Sequence, residues 1–252
     1  MQTKLPNMLE TDCHQSYIST MKRSERDLAL RVLRAASWLK EYPAELAQAL
    51  LEEGVLVRLN AGEWAQAEGD DRSGLFIVVE GVLHSYCAAP GGREVMIGLV
   101  EAGSVLGHAT RFSGGPRIVT AVCVAPCVLL EISEAALDRV AERRPEIWRA
   151  IASFAYANMR SAVRMAAEVI ALRPRERIAA RLLAAAEWHD QSMPASRPVI
   201  RLNQELLGEM IGVTRKTVNA HLSGFEQDGL IQVGYGQITL CDVDRLRAVA
   251  NG

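Results

Sequence analysis

No stretch of this sequence approaches the roughly 18 consecutive apolar residues that a membrane-spanning helix needs. The start of the chain lacks the apolar block of a secretory signal, so the protein is expected to stay in the cytoplasm. An excess of positive charge is also missing. The 28 Lys and Arg face 30 Asp and Glu, leaving −2, so the chain as a whole does not advertise nucleic acid as a partner. Five cysteines form no close pair of the zinc kind, and in a reducing compartment they read as free thiols. The histidines, at 14, 84, 108, 189 and 221, share no ligand spacing. There is no Ser/His/Asp set, no recognisable pair of catalytic carboxylates and no Gly-x-x-x-x-Gly-Lys loop. Enzyme chemistry, a bound metal and a cofactor are therefore not expected.

What the chain does have is enough apolar material, 49% of 252 residues, to bury a core in one large or two ordinary domains. Residues 1–24 are polar and irregular and read as a tail, with polymerase, DNA or nothing as its contact. Residues 25–51 read as helical, with Leu28, Val32, Leu33, Ala36, Trp38 and Leu39 on the apolar side; Pro43 starts a second short helix ending near Glu53-Gly54. From 55 to 133 short apolar runs (Val55–Val57, Leu75–Val79, Val128–Ile132) alternate with glycine-bearing turns, the texture of an all-β barrel or jelly roll. Cys123 and Cys127, separated by Pro126, read as small buried hydrophobes. Helix resumes at Glu134. Pro145 is expected to open a long helix that runs to about Leu172 and ends at Arg173-Pro174.

That long helix carries a stripe at spacings of four and three: Ile151, Ala155, Asn158, Ala162, Met165, Val169 and Leu172. Such an a/d seam predicts a homodimer, with small residues allowing close approach and Asn158 pairing with its symmetry mate to fix register. Part of the helix must also pack on its own β domain.

Residues 203–231 say most about function. Asn203 can cap a helix in which Leu206, Leu207, Met210 and Ile211 share a face, and Gly212 can release the chain in a left-handed turn. Thr214 caps a second helix with Val218, Leu222 and Phe225 inward. Its exposed face is expected to carry Arg215, Lys216, Asn219 and His221, donors suited to phosphates and purine edges. Residues 230–240 then alternate about Gly234-Tyr235-Gly236, which predicts a hairpin, and Asp242 or Asp244 caps a last helix buried through Leu246 and Val249. A helix-turn-helix followed by a hairpin is a winged DNA-binding unit. Residues 174–252 nevertheless hold nine basic and nine acidic side chains. Affinity must come from local placement of cations, helped by a second copy.

The order of these parts resembles the cyclic-AMP receptor protein/FNR (CRP/FNR) family of bacterial transcription regulators over about residues 38–250. The likeness is carried by Gly62-Glu-Trp, Leu75-Phe-Ile-Val-Val-Glu-Gly81, Gly92-Arg-Glu94, Gly103-Ser-Val-Leu-Gly107, Leu130-Glu-Ile-Ser133, Arg177-Ile-Ala-Ala-Arg-Leu182 and Thr214-Arg-Lys-Thr-Val-Asn219. The resemblance implies an α+β chain in three parts behind the tail. These are a cyclic-nucleotide-binding-like β-roll with flanking helices (25–144), a central dimerisation helix (145–173) and a winged helix-turn-helix (174–252). It implies a dimer on double-stranded DNA, two recognition helices one turn or ~34 Å apart on a pseudo-palindromic site.

The resemblance also marks departures. Family members that bind cyclic AMP hold it with Gly-Glu, then Arg-Ser, and with a Thr-Ser pair on the central helix. Here Gly107 is followed by His108, Arg117 is followed by Ile118, and the central pair is Ala162-Val163. Cyclic AMP is therefore not the expected effector, because a site built for polar groups loses affinity when its partners are gone. Arg117 is left either to meet an anion or to lie on the surface at a hairpin end. His108 lies near the position where haem-binding relatives place an iron ligand, but a lone histidine beside apolar strands reads as structural. An iron–sulfur centre needs a cysteine cluster, and the tail has only Cys13. Arg215 matches a family arginine that reads guanine; the following family position, commonly Glu, is Lys216, so the half-site is expected to differ. Thr214 and Thr217 are expected to contact the DNA backbone. The competing reading is a β-roll module that controls a protein partner without DNA.

Overall fold

Before the roll, the chain winds into α1 (Arg23–Ala35) and α2 (Ala44–Glu53). The computed structural model describes residues 22–71, 74–190, 198–200 and 202–252, so the expected tail lies outside the described residues except at its end. The helical stretch expected over 25–51 is interrupted between Ala36 and Pro43. Proline disfavours helix at the residue before it, and Pro43 stands at the N-cap of α2. Trp38 and Leu39 are buried from this turn rather than from a helix. The Trp38 indole donates to the Gly103 carbonyl at 2.9 Å, which pins the turn to the roll.

The roll is two antiparallel sheets. One has the order β1 (Val55–Leu59), β8 (Cys127–Ile132), β3 (Leu75–Glu80), β6 (Val105–Leu106); the other has β2 (Trp64–Gln66), β7 (Thr120–Cys123), β4 (Val82–Ala89), β5 (Arg93–Glu101). β3 explains its own unbroken apolar run. Leu75, Ile77 and Val79 face the helices, while Phe76 and Val78 face the roll interior with Leu83, Val100, Leu106 and Leu129. A strand covered on both faces has no polar side to show. Gly81 takes the turn into β4 at φ +97°, where a Cβ would sit 2.5 Å from the Cys127 sulfur.

After β6 comes the short α3 (His108–Ser113), and after β8 come α4 (Glu134–Arg143) and α5 (Ile147–Ala171). The first turns of α5 bury Ile147, Ala150, Ile151 and Phe154 in the core shared with α1, α2 and the roll. Ile151 is therefore removed from the expected dimer seam: it is 1% exposed inside its own subunit. Beyond Phe154 the helix leaves this core.

Leu172 and Arg173 break α5, and Pro174 takes the first position of α6 (Pro174–Asp190), where its missing N–H costs nothing. There follow β9 (Val199–Ile200), α7 (Gln204–Ile211), α8 (Arg215–Gln227), β10 (Ile231–Gly234), β11 (Gln237–Leu240) and α9 (Val243–Asn251). The hairpin turns on Tyr235 and Gly236, with Gly234 still paired to Gln237. β9 adds a third strand against β11 that the sequence pattern did not announce. Asp242, rather than Asp244, caps α9 by accepting from the Arg245 amide. No helix among the described residues is long and apolar enough to cross a membrane.

Candidate nucleic-acid interface and effector pocket

The two helices of the C-terminal unit are capped as the residues dictate. Asn203 Oδ1 accepts the Leu206 amide at 2.9 Å, and Gly212 ends α7 at φ +70°. Thr214 Oγ1 accepts the Thr217 amide at 3.2 Å and lies 2.9 Å from the Thr217 hydroxyl. Val218, Leu222 and Phe225 are buried against Leu207 and Ile211. Gly208 was not singled out by sequence reasoning, yet it sets the crossing: a Cβ there would come 2.8 Å from the Val213 carbonyl. A glycine inside an otherwise apolar helix next to a second cap was the available signal.

The outward row of α8 is Lys216, Ala220, Ser223 and Gln227, all exposed. Arg215, also exposed, flanks that row at the helix start. Neither Arg215 nor Lys216 is placed against a carboxylate among the described residues; the ion pairs described in this unit, Arg175–Asp228 (3.0 Å), Arg245–Asp242 and Arg247–Asp244, lie elsewhere. Thr217, Asn219 and His221 are half-buried. The Asn219 Oδ1 is enclosed and accepts no hydrogen bond among the described residues. Reading adenine needs both ends of that amide, so Asn219 has to rotate outward first. Glu226 accepts the Val233 amide at 2.9 Å and so clamps the wing to α8. Tyr235 stands fully exposed at the wing tip.

In the roll, three of the six residues considered for an effector converge. Gly107 has φ +84°, and a Cβ there would lie 2.3 Å from the Gly74 carbonyl and 2.4 Å from Arg117 Nη1. Arg117 is 3% exposed, which removes the alternative of a surface arginine at a hairpin end. Its guanidinium donates to Gln66 Oε1 at 2.6 Å and to the Gly74 carbonyl at 3.4 Å, and lies over the Phe76 ring at 5.7 Å. His108 opens α3 and stands edge-on to Phe154 of α5, with ring centroids 5.2 Å apart. Its Nδ1 is enclosed without a partner among the described residues. Burial lowers its pKa, opposed in smaller part by the nearby Val105 backbone. Ile118 is 66% exposed, and Ala162 and Val163 face solvent, so none of the three joins this cluster. Cys123 and Cys127 are buried at the end of the roll interior. The Cys127 thiol donates to the Val82 and Ala125 carbonyls, and the closeness of the two thiols raises the pKa of Cys123 and lowers that of Cys127 to about 7.

Two family models match this chain: a cyclic nucleotide-binding domain over residues 56–144 and a Crp-like helix-turn-helix domain over residues 176–249. The chain belongs to the CRP/FNR family. Like its relatives, it is a DNA-binding transcription regulator. A CRP-like cAMP-activated global transcriptional regulator of Mycobacterium tuberculosis is 27% identical over 186 residues, covering 73% of this chain and 83% of the relative. The nitrogen fixation regulation protein FixK of Bradyrhizobium diazoefficiens is 26% identical over 201 residues, 78% of this chain and 82% of the relative. Among solved structures, FixK2 from Bradyrhizobium japonicum superposes with a TM-score of 0.66 at 20% identity, covering 78% of this chain and 96% of that one. A CRP/FNR regulator from Thermus thermophilus superposes with a TM-score of 0.61 at 24% identity, covering 78% and 98%.

In this CRP/FNR chain the outward apolar residues of α5 are Tyr156, Met159, Val163 and Ile170, between 57% and 87% exposed. They repeat at three, four and seven residues. The expected seam (Ala155, Asn158, Ala162, Met165, Val169, Leu172) lies one residue away, about 100° round the helix. Of that set only Ala162 and Val169 are exposed, the others being half-buried, and Asn158 lines a cleft facing α6. Heptad spacing fits both stripes, and residue polarity alone did not choose between them. The sequence reading also missed the flap formed by β4 and β5. A bulge beside Ser85 puts Met96 and Leu99 on one face with Tyr86, and that face packs on α7, with Met96 fully buried there.

Proposed function

We propose that this regulator acts as a homodimer on a pseudo-palindromic promoter site, that α8 reads the major groove, and that cyclic AMP is not its effector. The observation that carries the first part is α8 itself. It is capped by Thr214, packed by Val218, Leu222 and Phe225, and presents Arg215 and Lys216 to solvent without acidic partners among the described residues. Arg215 reads a guanine edge, Lys216 and Thr217 hold phosphates, Thr214 fixes register, and Asn219 and His221 supply secondary contacts. The exposed apolar row on α5 supports the dimer. The proposed division is a roll with its flanking helices over 25–144, a dimer helix over 145–173 and a DNA-binding unit over 174–252. The protein works in the cytoplasm, catalyses nothing, and meets RNA polymerase at the promoter.

Selection of bound DNA from a random pool yields the motif. On that motif Arg215→Ala is expected to weaken binding by about 1–3 kcal/mol and to relax one base position. Unchanged sequence preference in a competition gel shift overturns the role of Arg215. The effector claim rests on the resemblance, which puts His108, Ile118, Ala162 and Val163 at the sequence positions where cyclic-AMP binders of the family carry polar partners. Calorimetry is expected to find no micromolar binding of cyclic AMP; such binding refutes the claim.

A further inference from the structure

A half-open cleft of about 150 Å³ lies between α5 and α6, outside the roll interior. One wall is α5 from Phe154 to Glu168. Arg181 and Ala184 of α6 form the other, and Ser37 from the turn after α1 completes it. The lining is cationic: Arg160, Arg164 and Arg181 share it with a single carboxylate, Glu168. Glu168 is already committed to Arg181, in a pair whose side chains are 13% and 8% exposed. Arg160 and Arg164 form no ion pair with any described residue, and the enclosed Nε of Arg181 has no hydrogen-bond partner among them. Three guanidiniums and one carboxylate leave two positive charges, carried by the exposed Arg160 and Arg164 beside the buried Arg181–Glu168 pair.

The enclosed Arg181 Nε is the donor for which burial without a partner is costly, while Arg160 and Arg164 stand exposed at the rim with their forks open. An oxyanion answers all three arginines at once, because the guanidinium fork matches carboxylate and phosphate oxygens. The hydroxyls of Ser37 and Ser161 add neutral donors beside them. Size restricts the class. The cleft equals about five waters' share of liquid volume and falls below the roughly 300 Å³ floor of common organic-ligand pockets. It admits a short dicarboxylate or a phosphate. Position matters too. At about 100° per residue, Arg164 and Glu168 fall on the side of α5 away from Val163 and Ile170, while Arg160 flanks Tyr156 at the edge of the apolar row, so a second copy on that row leaves the Arg164–Arg181 part of the cleft open.

We infer that this cleft binds a small dianionic ligand, which ties α6 of the DNA-binding unit to α5 and so regulates DNA affinity. The binding stands without DNA; its regulatory consequence rests on the proposed function. The test is thermal unfolding of the full chain with inorganic phosphate or succinate, against sodium chloride at equal ionic strength. One of the two anions is expected to raise Tm by about 5–10 °C at a hundredfold excess over its Kd, and which one does so separates phosphate from carboxylate chemistry. Arg160→Gln and Arg164→Gln should unfold near the wild-type temperature without anion and lose affinity at least tenfold, while Arg215→Ala keeps the full response. No shift above chloride, or an undiminished shift in both cleft variants, overturns the site. A gel shift run with and without the active anion reports the coupling. Unchanged DNA affinity at saturation overturns the regulatory half, whereas failure to bind any DNA faults the proposed function and leaves the anion site standing.

Discussion

His108 is a neutral ring held between the start of α3 and Phe154, with burial working against its charged form. The ordinary pKa is 6.5 and the folded value is lower. Below about 6.5 the unfolded chain takes up a proton that the folded ring refuses, so acidification favours unfolding. The stability tied to this ring is complete above that pH and erodes as the pH falls, until the folded ring itself protonates. His84, also lowered by burial, acts in the same direction. Tm measured at about pH 7.5 and about pH 5.5 should therefore fall less in His108→Gln than in the wild type. An identical fall in both proteins places the cost elsewhere. The neighbouring Gly107 could be read as a family residue from the chain alone, but its reason could not. Only the fold brings the Gly74 carbonyl and the Arg117 guanidinium to within a Cβ radius of it. Arg117 teaches the same lesson: its polarity leaves it either outside or against an anion, and the Gln66 and Gly74 oxygens draw it inside.

Among the elements, α5 shows how one helix carries three different faces. Its first turns belong to the core under the roll, its polar flank faces α6 across the cationic cleft, and its outer row is apolar and unpaired. On the proposed dimer, Val163→Glu puts a charge into the middle of that row and is expected to give monomers by light scattering, with DNA binding lost in step. A Val163→Glu protein that remains dimeric sinks this register. Apolar residues appear on several sides of α5, so heptad spacing alone offers two stripes, and of the expected one only Ile151 is claimed by an intrachain core. Helix α8 was more legible. Its caps, its glycine turn and its inward triplet are all local signals within a few residues of each other, and each has its counterpart in the structure.

At the scale of the whole molecule, contacts among the described residues join sensor to DNA-binding unit at the flap and at the α5–α6 joint. The flap of β4 and β5 seats Met96 against α7, and the α5–α6 joint is held by the Glu168–Arg181 pair. Both are long-range in the fold. The flap contact depends on the bulge beside Ser85, which reverses the phase of the side chains so that Met96 and Leu99 share a face. His108 of the roll meets Phe154 of α5, and Phe154 also lines the cleft at the α5–α6 joint.

The sequence by itself determined the kind of each part and their order: a strand-rich roll, a long helix, and a capped helix pair with a wing. Those features are periodic or local, and residue type is enough to specify them. Tertiary structure alone decided which face of α5 stays open, why Arg117 is inside, where the flap docks and that a cationic cleft exists. Each of these depends on side chains brought together from distant segments, and no spacing along the chain records such a meeting.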